Sequence, residues 1–172
     1  MHAAYDADYA QRFWRVLLQC DRVFKLFRTG FIGRASPVHF FWGSFDFAVT
    51  ASQADAHRCH PGGIRTSRTR SPREAYSHEV SSAGFWPGGG AIDYAAFYSY
   101  AYPTPDGFRQ IARAAGRRLL QSGTRRVPAA ATTRCGRPPI PMHCFSSSCR
   151  STYEAAANLA GWDRAALECS AR

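Results

Sequence analysis

The sequence predicts an α+β fold, in which an antiparallel, aromatic-rich sheet is flanked by N- and C-terminal helices and part of the fold is missing. Three observations support this class: a helical apolar period over residues 6–29, aromatic strand-like segments between residues 37 and 102, and a helix-start motif at residue 151. With 172 residues, 45% of them hydrophobic, the chain can bury the core of one domain.

The first element is a helix over residues 6–29. Its apolar side chains recur at the i, i+3/i+4, i+7 spacing of one helix face. These side chains are Tyr9, Phe13, Val16, Leu17, Cys20, Val23, Phe24 and Phe27. Asp6 or Asp8 can cap its start, and Gly30 and Gly33 provide the stop.

Three strands follow. Residues 37–50 are aromatic and β-branched, which predicts one strand with Val38, Phe40, Trp42, Ser44 and Asp46 on one face and His39, Phe41, Phe45 and Phe47 on the other. Residues 74–85 and 95–102 predict two more strands, joined by the turn sequence WPGGG. The last of them places Tyr98, Tyr100 and Tyr102 on one side.

The chain ends in a helical region. Ser151-x-x-Glu154 is a capping box, which predicts that the last helix begins there. Gly161 is expected to end this helix, and Asp163 is expected to cap a short final turn.

The formal net charge of +10 is typical of nucleic-acid-binding proteins. Three windows, 51–58, 64–72 and 109–150, hold 13 of the 22 basic residues and only one acidic residue. The remainder has 9 basic and 11 acidic residues, a net charge of −2. This distribution argues against a nucleic-acid partner, although a basic binder using residues 113–137 is kept as a rival hypothesis.

The same windows have the composition of GC-rich coding DNA read out of frame. For example, LLQSGTRRVP at residues 119–128 can be encoded by codons that give FYSRELGEF when read one base later. We therefore expect a helix-plus-sheet region in 1–108, with suspect frame in 51–58 and 64–72. A frameshifted, disordered segment follows in 109–150, and a C-terminal helix in 151–172.

Four patterned segments carry a resemblance to a known family: residues 37–50, 74–90, 96–103 and 151–168, of which the run EAYSHEVSSAGFWPG is highly specific. Together they resemble a bacterial family known as domain of unknown function fifty-nine ninety-six. The resemblance implies that the chain is the C-terminal part of a longer protein whose N-terminal, β-rich portion is absent. It implies no particular activity, substrate or cofactor.

Four polar residues are the catalytic candidates: His39, Asp46, His78 and Glu79. A histidine beside a carboxylate can move a proton. On a regular strand, however, His78 and Glu79 point to opposite faces, as do His39 and Asp46 unless Gly43 marks a bulge. A purely structural role for each, with Asp46 bonded to backbone amides, is therefore the competing hypothesis.

Five further residues are candidates to line a ligand pocket: Trp42, Ser44, Trp86, Tyr98 and Tyr100. Aromatic walls with a few polar groups are typical of small-molecule sites, although such rings more often belong to a core. The zinc-protease pattern H-E-x-x-H fails because Ser82 takes the second histidine's place, so the sequence predicts no metal site and no particular cofactor.

The sequence predicts a cytoplasmic protein without a membrane partner, and leaves the oligomeric state open. No stretch approaches the roughly eighteen consecutive apolar residues of a membrane span, and the N-terminus lacks the layout of a secretory signal. The six cysteines show no C-x-x-C spacing, which favours free thiols.

The leading hypothesis is a small-molecule-binding or enzymatic domain of unknown chemistry. The alternatives are a non-enzymatic structural or interaction module, and a decayed open reading frame without function. Convergence of the four polar candidates on one cavity would favour the leading hypothesis over the structural one.

Overall fold

The computed structural model of the chain describes residues 5–53, 78–89, 94–115, 131–134 and 142–169. Within these ranges the architecture is α+β, with an antiparallel sheet and helices at both ends, as the sequence predicts. The elements are α1 (Ala7–Thr29), β1 (Arg34–Ala35), β2 (His39–Phe41), β3 (Asp46–Ser52), β4 (Val80–Trp86), β5 (Ala96–Tyr102), α2 (Phe108–Ala115), β6 (Ala131–Arg134), α3 (Met142–Leu159) and α4 (Arg164–Leu167).

The described strands form one antiparallel sheet in the order β1-β3-β4-β5-β6. β2 also pairs with β3, with Phe41 opposite Asp46, while β1 pairs further along, with Arg34 opposite Ser52. β3 and β4 meet with Phe47 opposite Phe85, and β4 and β5 meet with Gly84 opposite Tyr98. This register decides which side chains share a face.

The helix α1 forms where the apolar period predicts it. The Asp6 carboxylate caps the helix by accepting a hydrogen bond from the Tyr9 backbone N–H at 2.9 Å, and Gly30 ends it. Cys20, Val23 and Phe24 are buried, whereas the N-terminal part of the predicted stripe, including Tyr9, is exposed. The stripe therefore contacts the sheet from Phe13 onward, where the Phe13 ring lies edge-on to that of Phe40 with centroids 6.2 Å apart.

The main core lies between the helices and one face of the sheet. Phe24 of α1 packs edge-on against Phe145 of α3, with ring centroids 5.2 Å apart, and Phe145 packs on Phe97 of β5. Val49 and Phe85 complete this cluster from β3 and β4. Because strand side chains alternate, this face uses the odd-numbered residues of β3, β4 and β5.

The single strand expected over residues 37–50 is wrong, because the chain folds there as a hairpin. β2 ends at Phe41, β3 begins at Asp46, and the Phe45 N–H bonds the Phe41 carbonyl at 2.7 Å across the turn. Phe45 adopts a positive φ of 56°, which is uncommon outside glycine. The reversal changes the faces expected for the whole segment.

The disorder expected throughout 109–150 does not hold for the described parts of that range. α2 and β6 lie within or across it, and α3 begins at Met142, not at the capping box of Ser151. Phe145 and Cys149 are both buried in the main core. The reading-frame hypothesis itself stays a prediction, which re-determining the nucleotide sequence would test.

The C-terminus closes back onto the end of α1. After Gly161, at φ 66°, Asp163 caps α4 as predicted by accepting from the Ala166 N–H. The Leu167 carbonyl then accepts from the Ile32 N–H at 2.8 Å, and the Cys169 N–H donates to Gly30 at 3.1 Å. None of the helices in the described ranges is long and apolar enough to cross a membrane.

The packing of Phe145 generates a test of whether residues 142–150 belong to the folded core. Phe145→Ala removes a ring that is 7% exposed, and should lower the free energy of unfolding by about 3–5 kcal/mol because a cavity is left. Leu26→Ala on α1, where the side chain is 68% exposed, is the matched control and should change it by less than about 0.5 kcal/mol. Urea denaturation measures both. Equal, small effects would mean that residues 142–150 are outside the core.

Candidate functional site

The second face of the sheet collects most of the polar and aromatic candidates. It is formed by the even-numbered residues of β3, β4 and β5 together with the residues that β2 sets opposite them. We call the part of this face around Asp46 the tyrosine face; it comprises His39, Phe41, Asp46, Ala48, Thr50, Ser82, Gly84, Trp86, Tyr98 and Tyr100. The cores that involve the described helices lie on the other side of the sheet.

Asp46 is the charged centre of the tyrosine face. It is only 9% exposed, and its two carboxylate oxygens accept hydrogen bonds from different hydroxyls. Ser44 donates to Oδ1 from the hairpin turn, and Tyr98 donates to Oδ2 from β5. The sequence-based hypothesis gives Asp46 backbone amides as hydrogen-bond donors. The described donors are instead two side-chain hydroxyls. Without them, burial of the carboxylate would be costly.

Gly84 allows Tyr98 to reach Asp46. Tyr98 lies directly opposite Gly84 on β4, and its phenol crosses that strand to reach Asp46 on β3. A Cβ at position 84 would overlap the Tyr98 ring. Glycine within a strand often marks such a close approach. The absence of a side chain at this position therefore sets the geometry of the site.

Further hydroxyls and rings extend the tyrosine face along the strands. The rings of Tyr98 and Tyr100 are nearly parallel, at 15°, with centroids 6.2 Å apart. Across from Tyr100, Thr50 donates a hydrogen bond to Ser82 at 3.0 Å, and the Ser82 hydroxyl lies 3.4 Å from the Val49 carbonyl oxygen. Tyr98 and Tyr100 are both half-buried.

His39 and Asp46 lie on the same face, so the expectation that they point to opposite faces is wrong. The hairpin places them on different strands, where the alternation along one strand does not apply. The His39 ring packs against Phe41 with centroids 4.0 Å apart, and its Nδ1 lies 3.1 Å from the Pro37 carbonyl oxygen. His39 therefore borders the face two residues from Phe41, which is paired with Asp46.

His78 and Glu79 do not join this site. Glu79 accepts a hydrogen bond from the Trp162 indole N–H at 2.7 Å, and its backbone carbonyl accepts from the Gln53 N–H at 3.0 Å. These contacts tie the start of β4 to the C-terminal region. His78 comes before Val80, the first residue of β4, which pairs with Tyr102. Asp46 lies beside the other end of β4, and the two ends of this strand are about 20 Å apart. The four catalytic candidates thus do not converge.

The two candidate tryptophans have different positions. Trp42 lies in the hairpin turn, is 82% exposed and packs edge-on against Phe40. It lies outside the cluster of hydroxyls around Asp46. Trp86 is half-buried at the end of β4. Phe85 pairs with Phe47 in an antiparallel ladder, so the next residue on each strand places Trp86 opposite Asp46. Trp86 therefore belongs to the site.

The chain also contains a cluster of ion pairs near its C-terminus. Arg164 binds Glu168 and, at 3.0 Å, Glu154; Arg150 binds Glu154 at 3.1 Å. The Arg164 guanidinium lowers the pKa of the Glu168 carboxyl through their hydrogen bond, while that bond raises the pKa of Arg164. Burial, followed by the negative charge of Glu168, raises the pKa of Tyr153. The opposite charges compensate one another, which indicates a structural role.

The described residues contain no group of three or more His, Cys, Asp or Glu side chains that could hold a metal ion.

The family model described as a family of unknown function, DUF5996, matches residues 1–169. The chain belongs to DUF5996. No curated protein and no solved structure matches it. The match confirms the resemblance inferred from the sequence and adds no ligand or reaction.

The sequence does not single out two residues of the tyrosine face, Gly84 and Phe41. Gly84 is detectable in principle, since the alternation of VSSAGFW places Ser82, Gly84 and Trp86 on one face and leaves a gap between the other two. Phe41 is expected on the face opposite Asp46 only if no turn lies between them. Of the five ligand-pocket candidates, Trp86, Tyr98 and Tyr100 lie on the tyrosine face, Ser44 contacts Asp46, and Trp42 lies apart from it.

The role of Gly84 generates a substitution test. Gly84→Ala should displace Tyr98 from Asp46 and lower the free energy of unfolding by about 1–3 kcal/mol, the usual cost of overpacking. Gly43→Ala is the matched control, because a Cβ there would meet nothing within 4 Å. Thermal denaturation compares the two variants, and the near-ultraviolet circular dichroism reports on the tyrosine environment. Equal behaviour would show that Tyr98 does not need the space above Gly84.

The pair of Arg164 and Glu168 generates a pH test. The pKa of Glu168 is lower in the folded state than the unfolded value of about 4.3. The stabilisation of the folded state by this ion pair is therefore present above about pH 4.3, and it is lost as the pH falls through the folded-state pKa. Glu168→Gln should therefore lower the melting temperature at pH 7 and make little difference near pH 3. Asp21→Asn, which breaks an exposed pair with Lys25, should change little at either pH. A Glu168→Gln effect independent of pH would contradict the charge-based role.

Proposed function

We propose that this DUF5996 chain is a small-molecule-binding domain whose site is the tyrosine face around Asp46. The observation that carries the proposal is a single buried carboxylate held by two hydroxyls within a surface of half-buried aromatic rings. Small-molecule sites typically combine aromatic walls with a few fixed polar groups. The same residues that hold Asp46 would orient it toward a ligand.

The carboxylate has acceptor capacity beyond its two described donors. An ionised carboxylate offers about four acceptor positions, and the hydroxyls of Ser44 and Tyr98 use one on each oxygen. A ligand that donates hydrogen bonds or carries positive charge would use the others. The described contacts therefore support a carboxylate that is positioned and also available.

Binding is supported more directly than catalysis. The histidine and carboxylate expected to work together, His78 and Glu79, do not act as a pair, because Glu79 is bonded to Trp162. His39 is near Asp46 in the sheet, but its ring packs against Phe41 and its Nδ1 lies beside the Pro37 carbonyl. An enzymatic role would have to use Asp46 and the Tyr98 hydroxyl.

The rival is a structural module, in which Ser44 and Tyr98 serve only to satisfy Asp46. The failure of the four polar candidates to converge favours this rival. The half-buried rings of Tyr98, Tyr100 and Trp86 favour binding, because aromatic surface beside a fixed polar group is typical of small-molecule sites. A ligand measurement separates the two.

A nucleic-acid partner has less support. The residues of the tyrosine face on β2 to β5 include no Lys or Arg, and a phosphate backbone is bound chiefly by those side chains. Most of residues 113–137 lies outside the described ranges. We further propose a cytoplasmic location, supported by Cys149 and Cys169, which are thiols in the part of the chain that the structure describes.

The proposal is tested by screening a library of small organic fragments against the whole chain with two-dimensional NMR. Bound fragments should shift the aromatic signals of Tyr98, Tyr100 and Trp86. Asp46→Asn should lower the affinity for these fragments by roughly tenfold, as expected for loss of a charged hydrogen-bonding group. Asp21→Asn is the control carboxylate and should leave binding unchanged. Fragments that bind elsewhere, or equally to Asp46→Asn, would favour the structural module.

A further inference from the structure

We infer that the ligand of the tyrosine face is a small organic cation, either an amine or a quaternary ammonium compound. The inference rests on the function proposed above and specifies the chemistry that the site would recognise. It follows from two observations: the charge of the face, and the aromatic rings around that charge.

The tyrosine face carries one formal negative charge, and the salt bridges within the described ranges do not involve it. Asp46 is the one formally charged residue among those that define the face. Within the described ranges, the salt bridges of Lys25, Arg150 and Arg164 are made with other acids. The donors to Asp46 are neutral hydroxyls, which orient the carboxylate without cancelling its charge. A cationic ligand would supply the missing positive charge.

Aromatic residues flank Asp46 on the neighbouring strands. Phe41 is paired with it on β2, Trp86 lies opposite it on β4, and Tyr98 contacts it from β5. Phe41 is 40% exposed and the other two are half-buried, so all three present surface. The faces of aromatic rings attract cations, with tryptophan the most effective.

The combination distinguishes a cation from the other ligand classes. An anion would be repelled by the Asp46 carboxylate, which is only 9% exposed and so is weakly screened by solvent. A neutral polyol could stack on the rings and donate to the carboxylate, but would leave the charge unbalanced.

The inference is tested with two probes of almost identical shape, choline and its uncharged carbon analogue 3,3-dimethylbutan-1-ol. NMR titration of the whole, unmodified chain gives the affinity for each from the shifts of the Tyr98 and Trp86 signals. We expect choline to bind at least roughly tenfold more tightly, because only choline has the charge that Asp46 and the rings recognise. Since this comparison needs no variant, it does not depend on whether a variant folds.

Variants then assign the preference to the site. Asp46→Asn should bring the affinity for choline down toward that of the neutral analogue, whereas Asp21→Asn should preserve the difference. Equal affinity for the two probes, or tighter binding of the neutral one at the tyrosine face, overturns the cation and leaves the binding function standing. If neither probe nor any library fragment shifts the Tyr98 and Trp86 signals, both the cation and the binding function are overturned.

Discussion

A carboxylate in the middle of a sheet is costly to bury unless donors are held against it, and Asp46 is held by two. One donor, Ser44, comes from the turn that precedes it by two residues. The other, Tyr98, comes from two strands away and requires that the strand between them carry no side chain at Gly84. The contact therefore fixes the hairpin, the register of β4 and the position of β5 together.

This constraint also separates the two faces of the sheet by function. The odd-numbered strand residues pack with α1 and α3 around Phe24 and Phe145, which supplies the apolar burial that a domain of this size needs. The even-numbered residues include buried Ala48, Ser82 and Ala96, and around Asp46 they hold hydroxyls and half-buried rings. The core packed by the described helices thus lies on one face, and the hydrogen bonds of Asp46 lie on the other.

Sequence reasoning succeeded where a local pattern decides the structure. The period of α1, the Asp6 and Asp163 caps and the tyrosine alternation of β5 are all set by neighbours a few residues apart. It failed at the turn of residues 42–45, where the turn-type pair Gly43-Ser44 lies inside an aromatic run and a phenylalanine adopts a positive φ. It also failed at Phe145, whose composition-biased surroundings suggested disorder. The bond between Glu79 and Trp162 joins residues 83 positions apart, and no local pattern predicts it.

The central claim is that Asp46 and Tyr98 are coupled across Gly84, and a double-mutant cycle measures that coupling directly. The free energies of unfolding of Asp46→Ala, Tyr98→Phe and the double variant would be obtained by urea denaturation. A hydrogen bond to a charged, buried group predicts a coupling energy of about 1–3 kcal/mol, so that the double variant loses less than the sum of the single ones. Effects that add to within about 0.5 kcal/mol would contradict the coupling and, with it, the site built around Asp46.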